Sequence, residues 1–529
     1  MTALAERLVA ALRQRGTRHI FGVPGGGSSL DLIEACGRLG VEFVLTRSET
    51  SAVLMAAASG ELSGAPGAAL TGVGPGAAAA MNGMAYASLE RSPLVLLTDR
   101  IEPTAARPTW HQIYDQPAGF TPVSKAARWI RPDTAPDEIA ALLDLPTQEP
   151  QGPVHLDMVA AEAGIDAPAV PPAATVPVSG TVPESLRQRI AGARKPVMIV
   201  GLQVRHLGDE TRALAHALRA ACLTTYKAKG VISDHDPLLV AQFTGGTAEA
   251  AALSAADLII MVGHDPIEMI PGVWSYAAPV VALSTWDWAA AGGYPKPEQI
   301  AVGDLRQMLA ETTPASPGPG WDHDELARLR AAYRSRIAYP DVEGISPDFV
   351  IDDVQRAAAA GTRLTVDAGA HMFPTLARWM ADEPCGVLKS NGLSTMGYAL
   401  PVAIASALHE PDRPVVAVTG DGGMMMCLPE LATAAEHGLD ITVIVLNDAM
   451  LSLIDVKQRK QQRPQAGVAS RPVDFAMMAQ ALGCHGATVR RSEELARVLE
   501  SASRISGPRL IDVHIDPGGY DAQLDAMRG

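Results

Sequence analysis

The stretch VVAVTGDGG at residues 415–423 indicates the fold of the third part of the chain. Four apolar residues are followed at once by a glycine-rich turn that holds one acid, Asp421. A similar stretch, ITVIVLND at residues 441–448, ends in Asn447 and Asp448, and a helix-like segment at residues 428–437 separates the two. Continuous apolar runs suit parallel strands that are buried on both faces. We therefore predict adjacent parallel strands that place Asp421 and Asp448 at the same edge of a sheet.

Apolar runs that end in glycine or polar turns recur along the chain and alternate with helix-like segments. The other runs lie at residues 20–21, 41–45, 68–70, 94–97, 197–200, 258–262, 280–283 and 364–366. This alternation predicts an α/β protein made of three doubly wound domains with mainly parallel sheets. Proline-rich breaks at residues 163–184 and 312–320 place the domains at residues 1–165, 180–312 and 340–529, with a helix at residues 322–337 before the third.

The composition is that of a globular protein, with 529 residues, 47% hydrophobic and 19% charged. A net charge of −15 argues against a nucleic-acid partner and against docking on anionic membranes. No apolar run reaches the roughly 20 residues of a membrane span. Residues 1–18 resemble an amphipathic helix rather than a signal peptide, so we expect a cytoplasmic protein. Five widely spaced cysteines predict small buried thiols rather than a disulfide framework or a zinc site.

Two carboxylates at one sheet edge predict a metal site. The side chains of Asp421 and Asp448 and the backbone carbonyl of Met450 offer oxygen ligands and leave positions for diphosphate oxygens and water, as Mg²⁺ prefers. The glycines around Asp421 would let backbone amides approach a phosphate. A Gly-Asp-Gly sequence alone is also typical of an acidic turn. The 27-residue spacing of the two acids, one helix plus one strand, favours the metal and diphosphate interpretation.

These motifs resemble a known family. Gly420-Asp421-Gly422 followed by Asn447-Asp448 resembles the fingerprint of enzymes that bind thiamine diphosphate. Nearly the whole chain resembles the superfamily of acetolactate synthase, pyruvate oxidase and benzoylformate decarboxylase. The stretches that carry this resemblance are FGVPGGGSSLDLIEA (21–35), RSETSAVLMAAASGELSG (47–64), TGVGPGAAAAMNGMAYA (71–87), SPLVLLTD (92–99), HQIYDQPAGFTPVSK (111–125) and SNGLSTMGYALPVAIASA (390–407).

The resemblance implies a thiamine diphosphate and Mg²⁺ site between a pyrimidine-binding first domain and a diphosphate-binding third domain. It makes Glu49 the glutamate that hydrogen-bonds to the cofactor's pyrimidine ring. It makes Met396 the apolar residue that bends the cofactor. Without it, Glu49 is an ordinary acid at a helix start and Met396 a core methionine. The cofactor contacts that it implies are Gly25, Asn82, Ala370, His371, Ser394, Met396, Gly420, Gly422, Gly423, Met450, Leu451 and Ser452. Because the two domains meet between subunits in this family, we expect a homodimer or homotetramer.

Several positions depart from the family pattern or leave two interpretations open. Ser48 stands where many relatives have histidine, and Asp448 stands where they more often have asparagine. His371 is either part of the diphosphate cradle or an ordinary loop residue. His111 and Gln112 are either an acid/base or carboxylate-binding pair or a structural loop pair. In the segment at residues 451–464, Lys457 and Gln458 either contact a substrate carboxylate or belong to a solvated helix end.

The central domain lacks the family's flavin signals. Residues 159–161 (VAA), near the end of the first domain, replace a lysine-containing stretch of the biosynthetic acetolactate synthases, which is a separate departure. In the central domain, residues 263–268 (GHDPIE) replace an arginine-containing stretch, and no Gly-x-Gly-x-x-Gly is present. We therefore expect no FAD.

The function that the resemblance implies is decarboxylation of a small 2-oxo acid with carboligation, of the acetolactate synthase type. The alternatives are a decarboxylase without ligation, a carbon–carbon lyase, a flavin-dependent oxidase, and a family member that binds the cofactor without catalysis.

Overall fold

The computed structural model describes residues 2–101, 110–173, 180–270 and 272–528, so part of the first predicted linker lies outside it. Its architecture is three six-stranded sheets, each with every neighbouring strand pair parallel and helices along the chain between the strands. The prediction of an α/β protein with three doubly wound units is confirmed. A two-stranded antiparallel ladder joins β1 (Thr2–Ala3) to β8 (Asp166–Ala167).

The strands of each sheet come from one continuous part of the chain. The first sheet has the order β3-β2-β4-β5-β7-β6, with β2 (His19–Val23), β3 (Glu42–Leu45), β4 (Gly67–Thr71), β5 (Leu94–Arg100), β6 (Ala126–Ile130) and β7 (Pro153–Val159). The second has the order β11-β10-β9-β12-β13-β14, with β9 (Pro196–Val200), β10 (Ala221–Thr224), β11 (Leu239–Gln242), β12 (Leu258–Val262), β13 (Val280–Ser284) and β14 (Gln299–Val302). The third has the order β16-β15-β17-β18-β20-β19, with β15 (Arg363–Val366), β16 (Val387–Lys389), β17 (Val415–Gly420), β18 (Ile441–Asn447), β19 (His485–Val489) and β20 (Arg509–His514).

Helices lie between most of the successive strands, although none of the described residues between β10 and β11 or between β13 and β14 forms one. Those of the first part are α1 (Leu4–Gln14), α2 (Ser28–Leu39), α3 (Glu49–Ser63), α4 (Pro75–Ala79), α5 (Met81–Leu89), α6 (Gln116–Phe120) and α7 (Pro136–Asp144). Those of the second part are α8 (Glu184–Ala191), α9 (Gly208–Leu218), α10 (Ala250–Ala255), α11 (Leu305–Thr312) and α12 (His323–Ile337). Those of the third part are α13 (Pro347–Ala357), α14 (Met372–Arg378), α15 (Ala399–His409), α16 (Asp421–Cys427), α17 (Glu430–Glu436), α18 (Ser452–Lys460), α19 (Phe475–Ala481), α20 (Ser492–Ala502) and α21 (Tyr520–Arg528). Short 3₁₀ helices span Thr121–Val123, Leu145–Thr147, Ala160–Glu162, Leu202–Val204, Pro266–Glu268 and Pro517–Gly519.

The first and third parts share one apolar core. Helices α3 and α15 pack against each other, and most of their side chains are buried. Both helices are apolar around most of their circumference, as expected for helices that are covered on all sides. Alanine, glycine and serine dominate α3, which lets neighbouring backbones approach closely. This packing fixes the position of α3 and α5 relative to the third sheet.

One local prediction is wrong. Residues 420–423 do not form a turn before a helix that starts at residue 428, because α16 begins at Asp421 directly after β17. The helix between the two acidic strand ends is therefore split into α16 and α17. All five cysteines are buried and unpaired. Within the described ranges, no helix is both long and apolar enough to cross a membrane.

Candidate active site

A cleft of about 390 Å³ opens at the carboxyl edge of the third sheet. It is lined by residues 368–372, 394, 396, 420–423, 446, 448, 450–454, 457 and 520. Most of these residues follow the ends of β15, β17 and β18, which are neighbours in the sheet. This is the edge at which open parallel sheets bind ligands.

Two carboxylates lie side by side at the base of the cleft. The register pairs Gly420 of β17 with Leu446 of β18, so Asp421 and Asp448 follow neighbouring strand ends. Asp448 accepts hydrogen bonds from the backbone N–H of Met450, at 3.1 Å, and from the Ser452 hydroxyl. Burial and the nearby Asp448 raise the pKa of Asp421 to about 7, and burial raises the pKa of Asp448. Two acids that repel each other in this way are suited to share a divalent cation.

Glycines let the backbone of α16 approach its surroundings closely. A Cβ at Gly423 would lie 2.8 Å from the Asp367 carboxylate, and one at Gly422 would lie 2.6 Å from Leu451 Cδ2. Met396 Cε lies 3.4 Å from the same Gly422 position, so Met396 and Leu451 both lie beside Gly422 in the cleft. The first turn of α16 is thereby left open to a ligand on one side and supported by buried groups on the other.

His371 contributes a buried imidazole to the cleft wall beside Ala370, so it is not a surface residue. Burial lowers its pKa to about 4, although the backbone carbonyl of Asp367 accepts a hydrogen bond from the ring. Its Nε2 has no hydrogen-bond partner among the described residues. A buried polar atom that lacks a partner costs free energy, and a ligand in the cleft could provide one.

These features fit thiamine diphosphate and Mg²⁺. The paired carboxylates suit the cation, the glycine-rich turn and the free histidine nitrogen suit a diphosphate, and the apolar pair Met396 and Leu451 suits a flat heterocycle. No group of three or more histidine, cysteine, aspartate or glutamate side chains in the described parts of the chain could hold a metal. The predicted Mg²⁺ site does not need such a group, because it uses two side-chain carboxylates and one backbone carbonyl.

The predicted residues from the first part of the chain are not in this cleft. Glu49 begins α3 at the edge of the first sheet, and its Oε1 lies 3.4 Å from the Cβ position of Gly76. The carbonyl of Gln112 lies 2.5 Å from the Cβ position of Gly74, so Gln112 borders the same turn. Gly25 donates its N–H to the Ser29 hydroxyl at 3.0 Å, after β2. His111 and Gln112 are both exposed.

Two other predicted residues have protein partners. Asn82 hydrogen-bonds through its side chain to Thr395 Oγ1, at 3.1 and 3.2 Å, and so contacts the loop that carries Ser394 and Met396. Gln458 donates to the carbonyl of Ala466 and accepts from the N–H of that residue. Of the two candidates for a substrate carboxylate, therefore, Lys457 lines the cleft and Gln458 is held by a neighbouring loop.

The structure adds a buried residue that the sequence did not single out. Gln116 accepts a hydrogen bond from the N–H of Gly74 at 2.9 Å and donates to Asp157 at 2.9 Å and to the carbonyl of Asp99 at 3.0 Å. It therefore fixes the turn beside Glu49 to the first sheet. Its signal in the sequence was weak, since Asp115 and Pro117 mark only a helix start.

Three family models match this chain. The N-terminal TPP binding domain of the thiamine pyrophosphate enzymes matches residues 2–118, the central domain matches residues 184–311, and the C-terminal TPP binding domain matches residues 367–513. Together these segments cover about three quarters of the sequence. The chain belongs to the thiamine pyrophosphate enzyme family. The resemblance inferred from its motifs is confirmed.

Curated relatives match this thiamine pyrophosphate enzyme over nearly its full length. A catabolic acetolactate synthase of Raoultella terrigena is 29% identical, covering 97% of this chain and 95% of the relative. An acetolactate synthase of Bacillus subtilis is 27% identical, with 97% and 93% covered. A probable 2-ketoarginine decarboxylase of Pseudomonas aeruginosa is 28% identical, with 96% and 93% covered.

The second sheet of this family member has its carboxyl edge filled by protein groups. One oxygen of the buried Glu268 accepts the N–H of Leu202, after β9, at 3.0 Å, and the other accepts the hydroxyl of Thr225 at 2.5 Å. Arg91, from the first part of the chain, pairs with Asp265 beside it at 3.0 Å. A carboxylate thus satisfies the backbone amide that a bound phosphate would meet at such an edge.

Proposed function

We propose that this chain uses thiamine diphosphate and Mg²⁺ to decarboxylate a small 2-oxo acid and to join the remaining fragment to a second carbonyl compound, as acetolactate synthases do. The observation that carries the proposal is the cleft in which Asp421 and Asp448 follow neighbouring strand ends. The similarity to two named acetolactate synthases supports the ligation step. The proposed domains remain residues 1–165, 180–312 and 340–529.

Residues of the cleft would hold the cofactor through complementary charge and shape. Asp421, Asp448 and the Met450 carbonyl would bind Mg²⁺, and the amides of Gly422 and Gly423 would face the diphosphate. The His371 imidazole is neutral near pH 7, and an anion beside its free nitrogen would favour a proton there. Bound thiamine diphosphate supplies a carbon nucleophile and an electron sink for the bond that breaks.

Glu49 completes the proposed site from a second copy of the chain. The lining of the cleft comes from residues 368–520, whereas Glu49 lies at the edge of the first sheet. A second copy that presents its first sheet to this cleft would bring Glu49 to the pyrimidine ring, where the carboxyl group would hold or release a proton at a ring nitrogen. Gly25, His111 and Gln112 would arrive with it. The proposal is therefore a homodimer or homotetramer, located in the cytoplasm.

Among the described residues that line the cleft, Lys457 is the one lysine or arginine, and it lies on the exposed face of α18 near the apolar Leu453 and Ile454. We assign it to the carboxylate of the 2-oxo acid. Simple decarboxylation is the second candidate, because the probable 2-ketoarginine decarboxylase, at 28% identity, is as similar as the two synthases, at 29% and 27%.

Pyruvate consumption followed by product NMR tests the activity. With thiamine diphosphate and Mg²⁺ we expect acetolactate, and with either omitted we expect none. Acetaldehyde alone would replace the first candidate by the second. Tight cofactor binding without turnover of any 2-oxo acid would support a non-catalytic member. A flavin absorbance spectrum in the purified protein would favour an oxidase and contradict our expectation of no FAD.

Mixing two inactive variants tests the second copy. Glu49→Gln and Asp421→Asn should each abolish activity alone. In a dimer formed by random exchange of equal amounts, half of the molecules are mixed, and each mixed molecule has one intact site of two. We therefore expect recovery of about a quarter of the wild-type activity. No recovery, with mixed oligomers demonstrated by differential tags, would show that each chain completes its own site.

A further inference from the structure

The loop of residues 390–397 connects β16 to α15 and brings Ser394 and Met396 to the cleft. The first part of the chain holds this loop at two points through α5 and the residue after it. Asn82, in the first turn of α5, bonds to Thr395. At the other end of the helix, Gly392 lies so close to the carbonyl oxygen of Leu89 that a Cβ there would overlap it.

Glu90, directly after α5, binds the first half of the loop with one carboxylate oxygen. Its Oε1 accepts the N–H groups of Asn391 at 2.6 Å, Gly392 at 2.8 Å and Leu393 at 3.4 Å, and the hydroxyl of Ser390 at 3.1 Å. The side chain of Glu90 is 1% exposed, so water does not compete for these donors. Successive backbone amides that converge on one oxygen form an anion-binding nest, here filled by the protein itself.

The other oxygen of Glu90 faces a cation from the central part of the chain. Lys227 Nζ lies 3.4 Å from Glu90 Oε2 and 2.7 Å from Glu61 Oε2. The opposite oxygen of Glu61 accepts hydroxyl hydrogen bonds from Tyr86 at 2.8 Å and Ser92 at 2.5 Å. These side chains are buried, so residues from all three parts of the chain meet at one ionic cluster.

The ammonium of Lys227 favours the charged form of both carboxylates. Burial raises the pKa of Glu90, and Lys227 is the strongest influence in the opposite direction. Burial also acts to raise the pKa of Glu61, but Lys227 and Arg205 lower it overall. A buried carboxylate that loses its cation takes up a proton or breaks its contacts.

We propose that Glu90 and Lys227 are positioning residues of the active site: Lys227 orients Glu90, and Glu90 fixes the loop that presents Ser394 and Met396 to the cofactor. The role of the loop toward the cofactor rests on the proposed function. The geometry of the loop does not, because its contacts with Glu90 exist in the chain alone. The central domain therefore acts on the cofactor cleft through Lys227, which does not line it, beside a direct hydrogen bond from the Asn391 side chain to the carbonyl of Glu268 at 3.1 Å.

Amide hydrogen exchange of the protein without cofactor tests the positioning directly. In Glu90→Gln and Lys227→Met, exchange at residues 391–393 should accelerate about tenfold or more, because each variant weakens hydrogen bonds to a charged acceptor. Lys229→Met is the matched control. Lys229 is a buried lysine of the same segment, but it pairs with Asp234 at 2.6 Å. We expect the control to lose global stability without faster exchange at residues 391–393.

A second variant covers the case in which Lys227→Met does not fold. The pair Lys227→Met with Glu61→Gln removes one negative charge together with the positive one, and the loop should still exchange faster. Unchanged exchange at residues 391–393 in a folded Glu90→Gln protein would overturn the proposal, as would equal acceleration in Lys229→Met.

Titration with thiamine diphosphate and Mg²⁺, followed by calorimetry, tests the effect on the cofactor. We expect at least a tenfold weaker Kd for Glu90→Gln and Lys227→Met and little change for Lys229→Met. Wild-type affinity in a variant with a loosened loop would overturn the link between loop and cleft. If the wild-type protein itself bound no thiamine diphosphate, the proposed function would fail, while the exchange result would still decide the positioning of the loop.

Discussion

Asp448 has two effects beside Asp421: its charge repels that acid, and its oxygen is a proposed metal ligand. Replacing Asp448 by asparagine removes the charge and keeps an oxygen. Asparagine keeps an oxygen that can accept the N–H of Met450, and the Ser452 hydroxyl can turn to accept from the new amide. The variant therefore removes a charge and changes few contacts. We expect a more stable protein in the absence of metal and an equal or tighter affinity for Mg²⁺ and thiamine diphosphate.

The size of the stability gain follows from the sheet. Neighbouring strands lie about 5 Å apart. Asp421 directly follows Gly420 of β17, and Asp448 lies two residues after Leu446, the partner of Gly420 in β18. Two unit charges at about 5 Å repel by ~3 kcal/mol at an effective dielectric constant of about 20 and by ~1 kcal/mol in a water-like environment. The expected gain in free energy of unfolding is thus about 1–3 kcal/mol where both acids are ionised.

The gain should depend on pH in a defined direction. Since the pKa of Asp421 is raised to about 7, this acid is ionised above that pH and takes up a proton below it. Repulsion by Asp448, and with it the benefit of removing Asp448, should be present at about pH 8.5 and largely lost at about pH 5.5. Chemical denaturation in EDTA at both values, followed by tryptophan fluorescence, measures it.

Asp421→Asn is the matched comparison for cofactor binding. It removes the same repulsion and should stabilise the metal-free protein similarly, but it should lose cofactor affinity if Asp421 is the principal metal ligand. A metal-free Asp448→Asn protein less stable than wild type at pH 8.5 would refute the electrostatic argument. Loss of cofactor binding in Asp448→Asn would refute the assignment of its oxygen as a ligand that asparagine can replace.

Three further substitutions test separate parts of the structure. Gly423→Ala should weaken cofactor affinity at least tenfold by calorimetry, because its Cβ would displace the start of α16 from the buried carboxylate beside it. Lys457→Met should raise the KM for the 2-oxo acid about fivefold with a smaller change in kcat, whereas Gln458→Met, one residue away, should leave KM unchanged. Burial lowers the pKa of His264 to about 4, so the unfolded chain binds a proton first on acidification and stability is lost from about pH 6.5 downward. His264→Phe should reduce the loss measured by denaturation between pH 7 and 5 by about 2 kcal/mol, and the exposed His485→Phe should not.

The fold could be predicted because many of its strands are continuous apolar runs in the sequence. Runs such as VVAV and LIIMV are buried on both faces and cannot serve as surface helices or loops. Strands that lack such a run, including β10 (Ala221–Thr224) and β19 (His485–Val489), were not predicted, since their short or mixed sequences carry little periodicity. The start of α16 at Asp421 was missed because consecutive glycines indicate a turn more often than a helix.

The site could be predicted only as far as local motifs reach. Asp421 and Asp448 follow predicted strands, so their adjacency at one edge follows from parallel pairing alone. The contacts of Asn82 with Thr395 and of Glu90 with residues 390–393 join positions about 300 residues apart. They depend on how α5 and α3 are placed against the third part of the chain. The sequence could not show which of Lys457 and Gln458 faces the cleft, because nothing in it indicates the loop that binds the Gln458 amide.

The filled edge of the second sheet has a consequence for how stability responds to conditions. A bound ligand stabilises a protein only in proportion to the logarithm of its concentration. Glu268 makes the corresponding contact with the N–H of Leu202 from within the chain. Its effective concentration is set by the fold and stays constant, so this part of the molecule holds its shape independently of any metabolite supply.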